Sequence, residues 1–212
     1  LASAGLLTLD LVRRALRLPL PGADAHAHMA PRPRNTALPA PPQYRDGAVL
    51  LLLYPHNGAL HIALTRRCDH LAAHAGQISF PGGLREPTDR SFVEAALRET
   101  REELGLEPGE LDLLGQLTPV EIAVSGYRIH PCAAWSRARP SFRPDPCEVA
   151  ELLEVPLAHL LNPATAKVEL RTIRGHEVDV PFYHVGRYKV WGATAMVLSE
   201  LVTLVRQAQE AI

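Results

Sequence analysis

From residue 47 onward the chain breaks into short apolar runs separated by turn residues, and the runs show two periods. GAVLLLLYP (47–55) is a continuous apolar run of strand length, Asn57-Gly58 is a tight-turn pair, and ALHIALTRR (59–67) returns. Together they predict a β-hairpin whose first strand is buried. Further strands are expected at 77–80, 111–118, 127–136, 167–172 and 178–185. A helical period appears where Val93, Leu97, Thr100 and Leu104 recur at i, i+4, i+7 and i+11, giving one apolar stripe. Ser91 and Glu94 have capping-box spacing, which predicts that Glu94 reaches back to the amide of Ser91, and Gly105 supplies the stop. Residues 193–212 read as a C-terminal helix with Met196, Leu198, Leu201, Val202 and Val205 on its apolar side. Near the start, Leu7, Leu11, Ala15 and Leu18 mark a short amphipathic helix. Few helices among several strands imply an α/β fold, a mixed sheet with helices packed on it rather than a regular βαβ repeat.

Composition divides this pattern. Residues 19–46 hold seven prolines, Gly22 and Arg32, Arg34 and Arg45, and read as an extended tether or surface loop. The expected organisation is an N-terminal helix and proline-rich tether over 1–46 and a folded domain over 47–212. A chain of 212 residues with 47% hydrophobic positions can bury a sizeable core. Cys68, Cys132 and Cys147 are scattered and odd in number, which suits a reducing cytoplasm rather than a disulfide framework. No apolar run is long enough to span a membrane, and no signal peptide is expected. The net charge of −1 implies no general attraction to nucleic acid or an anionic membrane. A polyanionic substrate would have to be met by local basic groups or by metal.

The chemistry-bearing pattern is Glu99, Glu102 and Glu103, at i, i+3 and i+4. These positions centre well over about 90° from the apolar stripe, so they are expected to face out of the core while staying mutually close. Like charges at this spacing cost a helix a few tenths of a kcal/mol per pair. Arg98 stands one turn before Glu102, and Glu94 one turn before Arg98, and these pairs offset part of the repulsion. Such a face is either solvated or binds divalent cations. Carboxylate oxygens suit Mg²⁺ or Mn²⁺, which share ligation with phosphates and water. No zinc spacing is present, His26 and His28 being two apart without cysteine partners.

R-E-T-R-E-E-L-G-L (98–106) resembles the end of the Nudix box, R-E-U-x-E-E-x-G-U, with Thr100 at the first U. In the loop half, five residues lead from Gly83 to Asp89, where the box has Glu, and eight rather than seven lead on to Arg98. LTRRCDHLAAHAGQISFPGG (64–83) is similar to the signature of Nudix coenzyme A diphosphatases, through Leu64, Thr65, Arg67, Leu71, Gly76, Phe80, Pro81, Gly82 and Gly83. Ala63, Cys68 and Ala72 depart from it, standing for Leu, Ser and Arg. The longer spacing and D-x-S at 89–91 fit the same subgroup, as do VSGYRIHP (124–131), EVAELLEVPL (148–157) and YKVWGATA (188–195).

The resemblance implies an α/β/α sandwich and metal-dependent hydrolysis of a nucleoside diphosphate linked to another moiety. For coenzyme A the products would be 3′,5′-ADP and 4′-phosphopantetheine. Glu99 and Glu103 are the expected ligands of Mg²⁺ or Mn²⁺, with Glu102 a further ligand or a water-positioning base. Arg98 is expected to orient a glutamate, and Gly82 and Gly83 to bring backbone near the metal. Arg66 and Arg67 are candidate phosphate contacts, although adjacent strand residues point to opposite sides. Glu148 is the candidate general base, its alternative being a role at the start of a short helix; Glu121 is a weaker candidate. His70 and His74 read as surface or turn residues, and Tyr188 and Trp191 as packing or base-stacking groups. Two other readings stay open: a pyrophosphatase of ADP-ribose, NADH or dinucleoside polyphosphates, and a non-catalytic domain that binds a nucleotide as a regulator. The partner is a small-molecule nucleotide in each case, and the oligomeric state is open.

Overall fold

In the computed structural model the apolar run at 47–55 lies in the middle strand of the larger sheet, covered on both faces. Residues 7–33, 41, 43–71, 74–173 and 175–211 are described. The chain begins with α1 (Leu9–Ala15) and α2 (Ala23–Ala27), then β1 (Arg45–His56), β2 (Ala59–Arg67), β3 (Ile78–Ser79) and β4 (Gly82–Leu84). α3 (Phe92–Leu104) follows, then β5 (Leu111–Gln116), β6 (Val120–Ile122), β7 (Tyr127–Ser136) and β8 (Val149–Pro156). α4 (Leu157–Leu161), β9 (Ala166–Ile173), β10 (His176–Val185), β11 (Tyr188–Trp191) and α5 (Gly192–Glu210) complete it.

The larger sheet runs β3-β2-β1-β7-β5, with β4 also on β1, β6 on β7 and β8 on β2. β1 is antiparallel to β2 and parallel to β7, so the sheet is mixed as expected. β9, β10 and β11 form a second sheet of three strands. Alternation along β1 divides the core. Ala48, Leu50, Leu52 and Tyr54 join Ala95, Ala96 and Leu104 of α3, while Leu51 and Leu53 join Leu198, Leu201 and Val205 of α5. This makes an α/β/α sandwich, and it explains why four successive leucines, Leu50 to Leu53, are all fully buried. Each such side chain contributes about 1.5–3 kcal/mol of transfer free energy. The Asn57-Gly58 turn pairs His56 with Ala59. Among the described residues no helix is long and apolar enough to cross a membrane.

Three expectations change. The segment expected as an extended tether is helical over α2 and packed on α5, with His26, Met29 and Ala30 buried. Its prolines bound the helix rather than abolish it, and part of its remainder (34–40 and 42) lies outside the described residues. EVAELLEVPL opens no helix at Glu148: β8 pairs antiparallel with β2, and Leu153 and Val155 turn inward. In α3, Val93 and Leu97 are only half-buried, whereas Ala95, Ala96, Thr100, Glu103 and Leu104 are buried. The helix is thus rotated toward its small residues, where it can approach the sheet closely. β4, β6 and β11 carry no strand signal of their own and exist through their pairing partners.

Candidate active site

The site forms where α3 crosses β4. Ser91 caps the helix by accepting the amide of Glu94 at 3.1 Å. Glu94 reaches one residue further back than the capping box implies, accepting from the amide of Arg90 at 2.7 Å and pairing with its guanidinium. Arg98 is thereby left to the loop. Its Nε and Nη2 donate to the two oxygens of Asp89, each at 3.1 Å, and Nη2 also donates to the carbonyl of Leu84 at 2.9 Å. Nη1 donates to Glu99 at 3.0 Å and to Glu102 at 3.1 Å. Arg98 therefore orients two glutamates, and buried Asp89, standing where the box has Glu, orients Arg98. The Arg98 guanidinium holds the Asp89 carboxyl below the usual carboxylate range. Position in the box is the one sequence signal for Asp89.

Glu99 lies over Gly83. A β-carbon on Gly83 would sit 2.4 Å from the Glu99 carboxylate, so only glycine leaves the cradle open. Gly82 donates its amide to Glu103 at 3.3 Å, and Arg67 approaches Glu103 at 3.5 Å. Glu103 is 2% exposed, which corrects the expectation that all three acids face outward. The rotation of α3 that buries Ala96 and Thr100 turns Glu103 inward with them, where the Gly82 amide and Arg67 meet it. Glu102 is the exposed member. Burial pushes the Glu103 carboxyl up to about 8, against the opposing influence of Arg67 and the Gly82 amide, and also raises that of Glu99.

Glu148 arrives from a loop that closes the end of α3. The amides of Arg143 and Asp145 donate to the last carbonyls of the helix, Leu104 and Glu103, at 2.8 and 2.9 Å. Cys68 donates its amide to the carbonyl of Glu148 at 2.9 Å and its thiol to that of Pro146. Cysteine in place of the signature serine thus still ties this loop down. Glu148 consequently acts on Glu99 and Glu103 by charge, raising both carboxyls further. Of the arginine pair, Arg67 faces the acids, whereas Arg66 is held by Asp69 at 2.7 Å and is not brought to them. Glu121 pairs with Arg128 on β7. His74 meets Gln77 within a turn and His70 is exposed. Tyr188 donates to Glu151, and Trp191 lies beneath Arg171. Ala72 lies outside the described residues.

Hard oxygen donors, an open cradle at Gly83 and two carboxyls raised by burial fit a divalent cation. Among the described residues no three acid, histidine or cysteine side chains already enclose one point. An open set suits an ion that keeps waters and takes phosphate oxygens.

Comparison with known proteins identifies the family of the fold. The NUDIX domain profile matches residues 44–174. The chain is 38% identical to an uncharacterized Nudix hydrolase, NudL, of Pectobacterium atrosepticum, covering 75% of this chain and 82% of that one. It is 35% identical to NudL of Photorhabdus laumondii, covering 80% and 92%. In three dimensions it resembles a Nudix hydrolase from Alicyclobacillus acidocaldarius with a TM-score of 0.50 and 17% identity, over 76% of this chain and 92% of that one, a likeness of fold.

Proposed function

The chain belongs to the Nudix hydrolase family, and from that membership we propose that it hydrolyses the pyrophosphate bond of coenzyme A or a derivative, releasing 3′,5′-ADP and 4′-phosphopantetheine. The observation that carries the hydrolytic reading is that Glu99, Glu102 and Glu103 of α3, with Glu148 acting on them by charge, lie beside Gly82 and Gly83 of β4, with Arg98 fixing two of them. Such a face repels a bare polyanion, so it is suited to a substrate that arrives with cations. Coenzyme A as substrate rests on the 64–83 segment, where the likeness to the diphosphatase signature is densest.

Glu99, Glu102 and Glu103 would hold Mg²⁺ or Mn²⁺, which when bound neutralises phosphate charge and lowers the pKa of water. Arg98 donates to both Glu99 and Glu102, so their geometry is set before substrate binds. Arg67 opposes the charge of Glu103. Glu148 is the residue assigned to take the proton of the attacking water, and the pantetheine phosphate leaves as the phosphoanhydride bond breaks. The free thiols of Cys68, Cys132 and Cys147 suit action in the cytoplasm.

The test is turnover of coenzyme A, ADP-ribose and NADH by purified protein with Mg²⁺ or Mn²⁺, products separated by chromatography. Coenzyme A is expected to give the highest kcat/KM. Preference for ADP-ribose or NADH would overturn the substrate, and no turnover of any of them would overturn the hydrolytic reading in favour of a nucleotide-binding regulator.

A further inference from the structure

The smaller sheet ends in a strand with one open edge. β9 pairs with β10 on one side, and among the described residues no strand meets the other side. Val168 and Leu170 of β9 are each 62% exposed. They share a face, because side chains two apart along a strand point the same way. Lys167, Glu169 and Arg171 take the opposite face, where Glu169 pairs with Arg171 and Lys189.

The direction of the edge backbone follows from its neighbour. Asp179 of β10 exchanges both hydrogen bonds with Arg32, its amide donating at 2.7 Å and its carbonyl accepting at 2.9 Å. Asp179 therefore turns its backbone polar groups away from β9. Leu170 stands opposite Asp179, so it occupies a non-hydrogen-bonded position of that ladder. Its own amide and carbonyl consequently point out of the open edge, as do those of Val168 and Thr172 at the same spacing of two. The exposed apolar side chains and the outward backbone groups thus belong to the same residues.

Charges on an edge usually keep other strands away. Here the order of signs at Lys167, Glu169 and Arg171 decides what can pair. An antiparallel copy centred on Glu169 would set that acid against itself and Lys167 against Arg171. A copy centred on Val168 would leave Arg171 beyond the paired part of β9. Centred on Leu170, the ladder runs from Lys167 to Ile173, Leu170 meets its own copy and Val168 meets Thr172. Glu169 and Arg171 then face each other in both directions, at the non-hydrogen-bonded positions where opposed side chains stand closest.

We propose that two copies of this chain associate through β9, antiparallel about a two-fold axis at Leu170, so that their smaller sheets become one. The self-complementary order of charge in this one register selects a second copy as the occupant of the edge.

Sedimentation velocity of the full chain from about 1 to about 100 µM reads the assembly, since an interface of this small kind associates weakly. The expected result is a shift from the 23.2 kDa monomer toward twice that mass as concentration rises. Leu170→Lys sets two charges together on the axis and is expected to weaken association by about tenfold or more, with Tm unchanged because the residue is exposed. A wild type that stays monomeric at the highest concentration, or a dimer that Leu170→Lys leaves intact, overturns the proposal. Crosslinking tests the register, in a Cys147→Ser background that removes the exposed native thiol. On oxidation Leu170→Cys is expected to join its own copy, since α-carbons about 5.5 Å apart are within reach of a disulfide. Val168→Cys is expected to need Thr172→Cys on the other subunit. Self-crosslinking of Val168→Cys in place of Leu170→Cys overturns the register and with it the pairing of Glu169 with Arg171.

Discussion

Burial and charge oppose each other at Glu103. Its carboxyl is held on one side by the Gly82 amide and on the other by Arg67, yet burial still lifts it to about 8 in the metal-free protein. The raised value fixes the sign of a pH effect. Below the ordinary value of 4.5 both folded and unfolded forms are protonated, and the residue contributes nothing. Between 4.5 and about 8 the unfolded chain releases the proton while the folded one keeps it, so stability falls as pH rises through this window. Above it the whole cost is present, on the order of a few kcal/mol. Metal-free protein melted across this range should lose stability toward high pH, and Glu103→Gln should flatten the slope. An unchanged slope in the variant would assign the effect elsewhere. None of this was legible in the sequence, since the depth of Glu103 follows from how α3 is rotated against the sheet, with Ala96, Thr100 and Leu104 buried beside it.

α3 shows how far an element can be read from its own residues. Its start at Ser91, its stop at Gly105 and the grouping of its acids follow from local rules, and all three are present. What failed was the partner of Glu94, because Arg90 lies close enough to take it, and Arg98 was drawn to Asp89 in the loop. β8 was illegible for a related reason. Its glutamates give no clean alternation, and they are tolerated because Arg187 and Tyr188 meet Glu151 while Tyr54 and Arg139 meet Glu154. The cap gives a separable test. Ser91→Ala removes the acceptor for the Glu94 amide and should cost about 1 kcal/mol, a fall in Tm of about 2–4 °C for a chain of this size. Ser91→Gly should lose only a few tenths of a kcal/mol. Equal melting temperatures for the wild type and Ser91→Ala would show that the cap contributes nothing.

Across the whole molecule the N-terminal segment is joined to the sandwich at one buried carboxylate. Leu11, Val12, Ala15, Met29 and Ala30 share the core on the α5 side, and Glu200 of α5 is 0% exposed among them. One of its oxygens accepts from the Gly22 amide and the Thr118 hydroxyl, and the other meets His26 and the Thr118 amide. Burial alone would raise this carboxyl, but the hydrogen bonds from His26 and Thr118 hold it low. The proline-rich composition hid this join, since composition reports chain stiffness and not what a short helix packs against. Glu103 and Glu200 are both buried glutamates on helices, yet they respond oppositely to the same change. Glu103→Gln removes a charge that burial penalises and so should leave metal-free stability at pH 8 unchanged or raised, while abolishing most turnover. Glu200→Gln places an amide nitrogen against donors that had an oxygen to meet, and should cost about 1–3 kcal/mol for each donor left unsatisfied. Denaturant titration of the two variants side by side checks this. A loss of stability in both would mean that Glu103 serves the fold, and a loss in neither would mean that Glu200 does not hold the N-terminal segment in place.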